Sequence, residues 1–175
     1  MEPLQVVWFK RDLRVADHQP LLQASRAGPV LPLAIIETDL WRCPDASTRQ
    51  WAFLAESLLE LRQDLALLGQ PLVVRTARTA EQLLERARCQ FGIAALWSHE
   101  ETGNAWTFAR DRRVAAWCRQ HRIPWVEHPQ SGVIRRLASR DGWARRWEQR
   151  MAEPLAPPPP HLPSCLLYTS DAADE

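Results

Sequence analysis

The stretch Val6-Val7-Trp8-Phe9, with the residues Lys10-Arg11-Asp12-Leu13-Arg14 that follow it, decides the fold of this chain. The apolar run has the composition of a buried strand, and it stops abruptly at the charged residues. A leucine- and alanine-rich segment with helical spacing follows at residues 17–27. The sequence therefore predicts a buried strand, a charged loop and a helix, in that order.

The same alternation continues along the chain. Segments with helical periodicity separate apolar runs that lack the alternating pattern of half-exposed strands. Strands of this kind, alternating with helices, indicate a parallel sheet covered on both faces, and right-handed crossovers then favour the strand order 3-2-1-4-5. The predicted fold is a doubly wound, Rossmann-like α/β domain with five parallel strands. Its strands are expected at 4–9, 30–36, 71–75, 93–97 and 123–127, and its first four helices at 17–27, 47–68, 79–91 and 104–121.

Three regions are expected along the chain. Residues 1–128 form the α/β domain, and 129–163 hold a further helix at about 133–151 and a proline-rich interdomain linker. Residues 164–175 resemble a peptide translated from sequencing-adapter DNA, so they are predicted to be a non-native or disordered tail.

Composition excludes several classes of protein. The 175 residues carry a net charge of +1, which gives no global field toward nucleic acid or membrane. No apolar run is long enough to span a bilayer, and a cytoplasmic location is expected. The four cysteines lack a Cys-x-x-Cys pair, so neither a disulfide framework nor a metal site is predicted. Glycine-rich Rossmann and Walker loops are missing, which disfavours a nicotinamide dehydrogenase or an NTPase.

Candidate ligand-binding residues follow the first, second and fourth predicted strands. Ligands of doubly wound sheets bind beyond the carboxyl ends of the strands, where these loops meet. They contain Lys10 and Arg11, Glu37 to Trp41, and Ser98 to Thr102, with Arg49 at the start of the next helix. The residues suit a planar, partly charged ligand. Alternatively, they are capping and turn residues on a solvated rim.

The string Trp8-Phe9-Lys10-Arg11-Asp12-Leu13-Arg14 resembles the N-terminal signature of the DNA photolyase/cryptochrome family. Lys10 stands where that signature has arginine, and His18 where it has asparagine. Thr48-Arg49-Gln50, Leu68-Gly69-Gln70-Pro71-Leu72 and Ala109-Arg110-Asp111 extend the resemblance. The resemblance implies an α/β domain that carries an antenna chromophore. It also implies that FAD and the pocket for damaged DNA belong to a helical domain downstream of Pro160.

The resemblance also bears on the antenna. Folate-binding relatives use a histidine and a glutamate that match Pro44 and Thr107 here, so folate is disfavoured. Relatives with FMN or deazaflavin use an arginine and an acidic residue that match Arg49 and Glu100. A flavin-like antenna is therefore expected, and an empty pocket is the alternative. The predicted site consists of Lys10, Arg11, Glu37, Asp39, Arg49, Glu100 and Glu101.

The leading interpretation is the antenna domain of a truncated photolyase or cryptochrome whose FAD-binding helical domain is missing. The parent would repair pyrimidine dimers with blue light and FAD, or sense blue light, and would meet damaged DNA through that domain. The chain alone is expected to lack repair activity, membrane contact and a stable protein partner. Two alternatives stay open: a stand-alone nucleotide-binding or sensor module, and a structural docking domain with an empty pocket. Trp8, Trp51, Trp97, Trp125 and Cys89 are predicted to be core residues rather than functional groups.

Overall fold

The computed structural model describes residues 2–135 and 137–164. Five parallel strands form one sheet in the order β3-β2-β1-β4-β5, which confirms the predicted topology. The strands are β1 (Leu4–Phe9), β2 (Val30–Glu37), β3 (Val73–Ala77), β4 (Ile93–His99) and β5 (Trp125–His128). The helices are α1 (Gln19–Ala27), α2 (Thr48–Leu67), α3 (Ala80–Phe91), α4 (Ala105–His121) and α5 (Trp143–Met151), with a 3₁₀ turn at Leu40–Arg42.

The central strand β1 is buried along its whole length and contributes side chains to two hydrophobic cores. Val6 and Trp8 pack on one face with residues of α3 and α4, while Val7 and Phe9 pack on the other with residues of α1 and α2. Successive side chains of a strand point to opposite faces, so an entirely apolar strand requires helices on both sides.

Helix α2 begins where its sequence predicts. The Ser47 hydroxyl accepts a hydrogen bond from the Gln50 N–H, and the Gln50 side chain accepts one from the Ser47 N–H, which completes a capping box. Beyond α2, Gly69 has φ of +99°, a conformation that glycine adopts without steric cost. Because α2 begins at Thr48, its N-terminal turn lies beside the carboxyl end of the sheet.

Two expectations about buried residues are wrong. Trp51 is 41% exposed because the buried stripe of α2 consists of Leu58, Leu61 and Leu65, farther along the helix. Its ring instead packs edge-on against Trp41, with the ring centroids 5.0 Å apart. Cys89 is also exposed, and its thiol contacts Glu85 on the outer face of α3.

The region after β5 differs in part from the expectation. The helix begins at Trp143 rather than near residue 133, because Ser139 and Asp141 form a side-chain-stabilised turn. Gly142 follows this turn in the left-handed region, with φ of +71°. The predicted tail falls almost entirely on 165–175, outside the described residues.

The proline-rich segment lies against the α/β domain. Asp17 donates its N–H to the Ala156 carbonyl (2.7 Å), and Leu162 donates its N–H to the Leu68 carbonyl (2.8 Å). The Leu162 side chain is completely buried in the core between the sheet, α1 and α2. This segment therefore completes one of the two cores.

Candidate functional site

A cavity of about 360 Å³ opens at the carboxyl ends of β1 and β2, between α2 and α4. The strand order reverses around β1, which is where doubly wound sheets bind ligands. The volume lies within the range of small-molecule sites. Lining residues are Trp8, Phe9, Lys10, Arg11, Leu13, Ile35, Glu37, Leu40, Trp41, Asp45, Ala46, Gln50, Phe53, Leu54, Glu101, Asn104, Thr107 and Arg110.

Aromatic and aliphatic side chains form much of the wall. Trp8 and Phe9 come from the end of β1, and Trp41 comes from the 3₁₀ turn. Phe53 and Leu54 enter from the first turns of α2, and Phe53 is 73% exposed. Such a wall suits a flat ring, because apolar faces give area and aromatic rings offer stacking.

The floor of the cavity is organised around Arg110, whose side chain is 4% exposed. Its guanidinium donates to Glu37 Oε2 and Glu101 Oε2, each at 3.2 Å, and to Asp111 Oδ1 at 3.0 Å. It also lies over the Trp8 ring, 4.8 Å from the ring centroid. Burial alone would lower the pKa of Arg110, but the three carboxylates outweigh it and raise the pKa. The buried group therefore stays a cation.

Glu37 joins the floor to helix α3. One carboxylate oxygen accepts from Arg110, and the other accepts from the backbone N–H of Ala80 at the start of α3 (3.1 Å). Burial raises the pKa of Glu37, and Arg110 opposes this rise. Both oxygens of Glu37 are therefore engaged by protein groups.

Lys10 extends away from the solvent beneath this floor. Its Nζ lies 3.7 Å from Asp111 Oδ2, and 5.1 and 5.8 Å from the ring centroids of Trp8 and Trp125. Burial lowers the pKa of Lys10, while Asp111 opposes the shift. Arg11, by contrast, has a side chain that is 61% exposed and 3.7 Å from Glu101.

Asp12 holds the loop after β1 to its neighbours. One oxygen accepts from the backbone N–H groups of Lys10 (2.9 Å) and Arg11 (3.2 Å). The other lies 2.6 Å from His99 Nδ1 and 2.8 Å from His18 Nε2. Burial would raise the pKa of Asp12, but hydrogen bonds from the two histidines hold it well below its usual range. The carboxylate is thus charged and fixes the backbone that carries Lys10 and Arg11.

The atoms of Asp12, His18 and His99 are close enough to share a metal ion. However, His18 Nδ1 accepts the N–H of Leu21 at 3.0 Å and so caps α1. That bond leaves the ring proton of a neutral His18 on Nε2, the nitrogen that faces Asp12. A metal at Nε2 would require that proton on Nδ1 and would break the bond to Leu21, so in the arrangement present here the two histidines and Asp12 act as a lock on the loop.

The structure brings four of the seven predicted site residues to the cavity: Lys10, Arg11, Glu37 and Glu101. The other three do not line it. Asp39 pairs with Arg42 and Arg78 at 3.3 Å each, and Glu100 pairs with Arg135 at 3.1 Å. Arg49 lies exposed in the first turn of α2.

The site predicted from the sequence includes no residue of α4. Asn104, Thr107 and Arg110 all line the cavity, and they recur every three residues from the helix start. A polar stripe at that spacing lies on one face of a helix. This periodicity was the available signal, and it would have added Arg110 to the predicted site.

The fold is that of a doubly wound α/β domain with a cavity at its switch point. A family model described as DNA photolyase matches residues 5–160. The chain therefore belongs to the DNA photolyase family, and it corresponds to the N-terminal domain of that family. The expected family and fold are confirmed.

Two curated relatives illustrate the sequence similarity. The chain is 31% identical over 104 residues to "Cryptochrome DASH, chloroplastic/mitochondrial" of Arabidopsis thaliana, covering 55% of this chain and 18% of that protein. It is 27% identical over 175 residues to the deoxyribodipyrimidine photo-lyase of Halobacterium salinarum, covering 89% of this chain and 36% of that protein.

Two solved structures share the fold. A bacterial class III photolyase from Agrobacterium tumefaciens aligns with a TM-score of 0.77 and 23% identity, over 95% of this chain and 36% of that one. An archaeal photolyase from Sulfolobus tokodaii, described with two FAD molecules and a novel light-harvesting cofactor, aligns with a TM-score of 0.74 and 19% identity. That alignment covers 94% of this chain and 39% of the archaeal one. The chain thus spans well under half the length of these relatives.

No helix within the described parts of the chain combines the length and apolar character needed to cross a membrane.

Proposed function

We propose that this chain is an antenna-chromophore domain that holds a flavin-type ring in the cavity between α2 and α4. The observation that carries the proposal is the cavity itself, which joins an aromatic wall to a buried charged floor at the switch point of a photolyase-family domain. FMN or a deazaflavin is preferred to folate. The second FAD described for the Sulfolobus tokodaii photolyase supports a flavin as the antenna of a relative.

The predicted site residues take different parts in this proposal. Glu37 and Glu101 fix Arg110 under the ring, and Lys10 and Arg11 come from the loop that Asp12 locks. Asp39, Arg49 and Glu100 would contact only those parts of a ligand that extend beyond the cavity, since they do not line it.

The activity of a longer protein is a separate proposal. We assign FAD, damaged DNA and light-driven repair or signalling to the region of the relatives that lies outside the match with this chain. This assignment follows the proposed domain layout, with the α/β domain at 1–128 and the helix and linker at 129–163. Long-read sequencing of the gene beyond codon 164 tests this layout. An open frame encoding a helical FAD domain supports it, whereas a stop codon after Glu175 in intact genomic DNA contradicts it.

Equilibrium dialysis with absorption spectroscopy tests the antenna role. The purified chain is dialysed against FMN, 8-hydroxy-5-deazaflavin and methenyltetrahydrofolate. We expect one flavin-type molecule per chain and a shifted visible band. Because Ala46 lines the cavity, Ala46→Trp fills it and should weaken binding by at least about tenfold. Ala116→Trp, on the exposed face of α4, is the matched control.

A second candidate, the docking domain with an empty pocket, makes the opposite prediction. Its support is the exposure of Phe53 at the cavity and of Phe108 on α4, which are 73% and 60% accessible. If the folded chain binds none of the chromophores and its melting temperature stays constant, the antenna proposal fails and the docking domain is favoured.

A further inference from the structure

The cavity carries no excess of positive charge. Its lining contains the cations Lys10, Arg11 and Arg110, and an equal number of carboxylates from Glu37, Asp45 and Glu101. Asp111, which does not line the cavity, adds a further carboxylate directly beneath it. A ligand phosphate that entered this floor would meet carboxylates at close range.

Neither deep cation is open to a phosphate, for two different reasons: Arg110 is hydrogen-bonded to carboxylates, and Lys10 is buried. Arg110 donates to Glu37, Glu101 and Asp111, so a phosphate could bind it only by displacing a carboxylate. The displaced carboxylate would remain buried without a partner, which is costly. Lys10 Nζ makes no hydrogen bond within the described residues, but it has no accessible surface and lies 3.7 Å from Asp111 Oδ2, so a phosphate in the cavity does not reach it.

At each of the three nearby helix starts, a side chain already engages one of the N–H groups. An anion normally binds the free N–H groups at a helix N-terminus. At α2 the Gln50 N–H is bonded to Ser47, at α4 the Thr107 N–H is bonded to Asn104, and at α3 the Ala80 N–H is bonded to Glu37. None of the described lining residues is a glycine, so the cavity has no glycine-rich backbone cradle for a phosphate.

Arg11 is the exception. Its side chain is 61% exposed at the rim, where water and salt screen its charge. An anionic group is therefore tolerated only at the rim, and there it adds little affinity.

We infer that the cavity selects a ring without negative charge and leaves any phosphate of the ligand in solvent, with Glu37 and Glu101 as the specificity-determining residues. This inference rests on the proposed antenna function. It narrows the ligand class to neutral isoalloxazines, and it disfavours the ionised 8-hydroxy-5-deazaflavin ring.

Comparison of riboflavin with FMN tests the inference. The two molecules share a ring and differ in the phosphate. Dissociation constants are measured by quenching of flavin fluorescence at low and high salt. We expect riboflavin to bind within about threefold of FMN, with little effect of salt, because the exposed Arg11 is screened. Ionised 8-hydroxy-5-deazaflavin should bind at least about tenfold more weakly, and acidification that protonates its hydroxyl should reduce that deficit.

Three outcomes overturn the inference, and they are distinguishable. FMN binding more than about tenfold tighter than riboflavin shows that the phosphate is recognised, and so refutes the inference alone. Equal binding of the ionised deazaflavin also refutes it alone, because the floor then accepts an anionic ring. Binding of none of these molecules by the folded chain refutes both the inference and the antenna role.

Charge-removing variants give an independent readout. Glu101→Gln keeps an oxygen for Arg110 but removes a charge, and it should improve the relative affinity for the ionised deazaflavin by several-fold. Glu60→Gln, on an exposed position of α2, is the matched control and should leave the ratio unchanged. If Glu101→Gln does not fold, Glu37→Gln provides the same test, because Glu37 is the other carboxylate assigned to the floor and also lines the cavity. An unchanged ratio in both charge-removing variants contradicts the assignment.

Discussion

Asp12 Oδ2 lies 2.6 Å from His99 Nδ1, which joins the loop after β1 to the end of β4 across the switch point of the sheet. Asp12 also holds the backbone of Lys10 and Arg11. The residues after His99 lead to Glu101 in the cavity floor. A single buried carboxylate thus sets the relative position of two loops that form the candidate site.

Replacement of Asp12 should therefore destabilise the domain strongly. Asp12→Asn removes the negative charge and replaces one acceptor oxygen with an NH₂ group. That NH₂ group faces at least one of the N–H groups from which Asp12 accepts, so a hydrogen bond is lost. We expect a loss of roughly 3 kcal/mol in the free energy of unfolding, as for a broken buried ion pair. Urea denaturation measures it, and the exposed Asp64→Asn is the control. A loss equal to that of the control would contradict the proposed lock.

Stability should decline on acidification because of His18. Burial lowers the pKa of His18 despite Asp12, so the unfolded chain binds the proton more readily than the folded one. Stability attributable to His18 is therefore present above about pH 6.5 and decreases as the pH falls below it. His18→Asn keeps a capping side chain without this titration.

The measurement is the difference in unfolding free energy between wild type and His18→Asn at pH 8 and pH 5. Burial also lowers the pKa of His128, but that contribution is present in both proteins. We expect the wild type to lose more stability than the variant. Equal pH dependence of the two proteins would contradict the role given to His18.

Removal of Arg110 should destabilise the domain, because the carboxylates of the cavity floor then lose their cation. Arg110→Met leaves Glu37, Glu101 and Asp111 close together without their common cation, which should cost about 3–5 kcal/mol near neutral pH. Burial raises the pKa of Glu37 and Arg110 opposes that rise, so without Arg110 the Glu37 carboxylate should take up a proton more readily and part of the loss should be recovered near pH 5. Chemical denaturation at both pH values measures this effect, and Arg112→Met, on the exposed face of α4, is the control. A pH-independent deficit would be inconsistent with this explanation.

The proline-rich segment should contribute to stability through Leu162. Truncation of this fully buried side chain by Leu162→Ala should cost about 2–4 kcal/mol, because it leaves a cavity between the sheet, α1 and α2. Leu155→Ala is a control in the same segment, since Leu155 is 77% exposed. Thermal unfolding of both variants checks the prediction. If the two melting temperatures fall equally, the segment does not complete the core as described.

Much of the fold could be predicted because local and global signals agree. An entirely apolar strand such as β1 requires cover on both faces, and the capping box at Ser47 marks the start of α2. The start of α5 was not predictable from periodicity, because the turn at Ser139 and Asp141 interrupts a continuous pattern. Trp51 was misplaced because its spacing fits the helix, whereas the sheet covers only the later turns.

The sequence predicted those site residues whose position follows from the order of the parallel strands. Glu37 ends β2 and Lys10 follows β1, and neighbouring parallel strands bring their carboxyl ends together. Sequence position alone does not show the direction of a side chain, so Asp39 and Glu100 were not separated from Glu37 and Glu101. The difference arises from their partners, since arginines outside the cavity engage Asp39 and Glu100.

The most direct test of the central claim is a crystal structure of this domain saturated with FMN. The account predicts an isoalloxazine ring between the aromatic wall at Trp41 and Phe53 and the floor held by Arg110, with the phosphate outside near Arg11. A cavity that stays empty at saturation, or a flavin bound elsewhere on the domain, would contradict it.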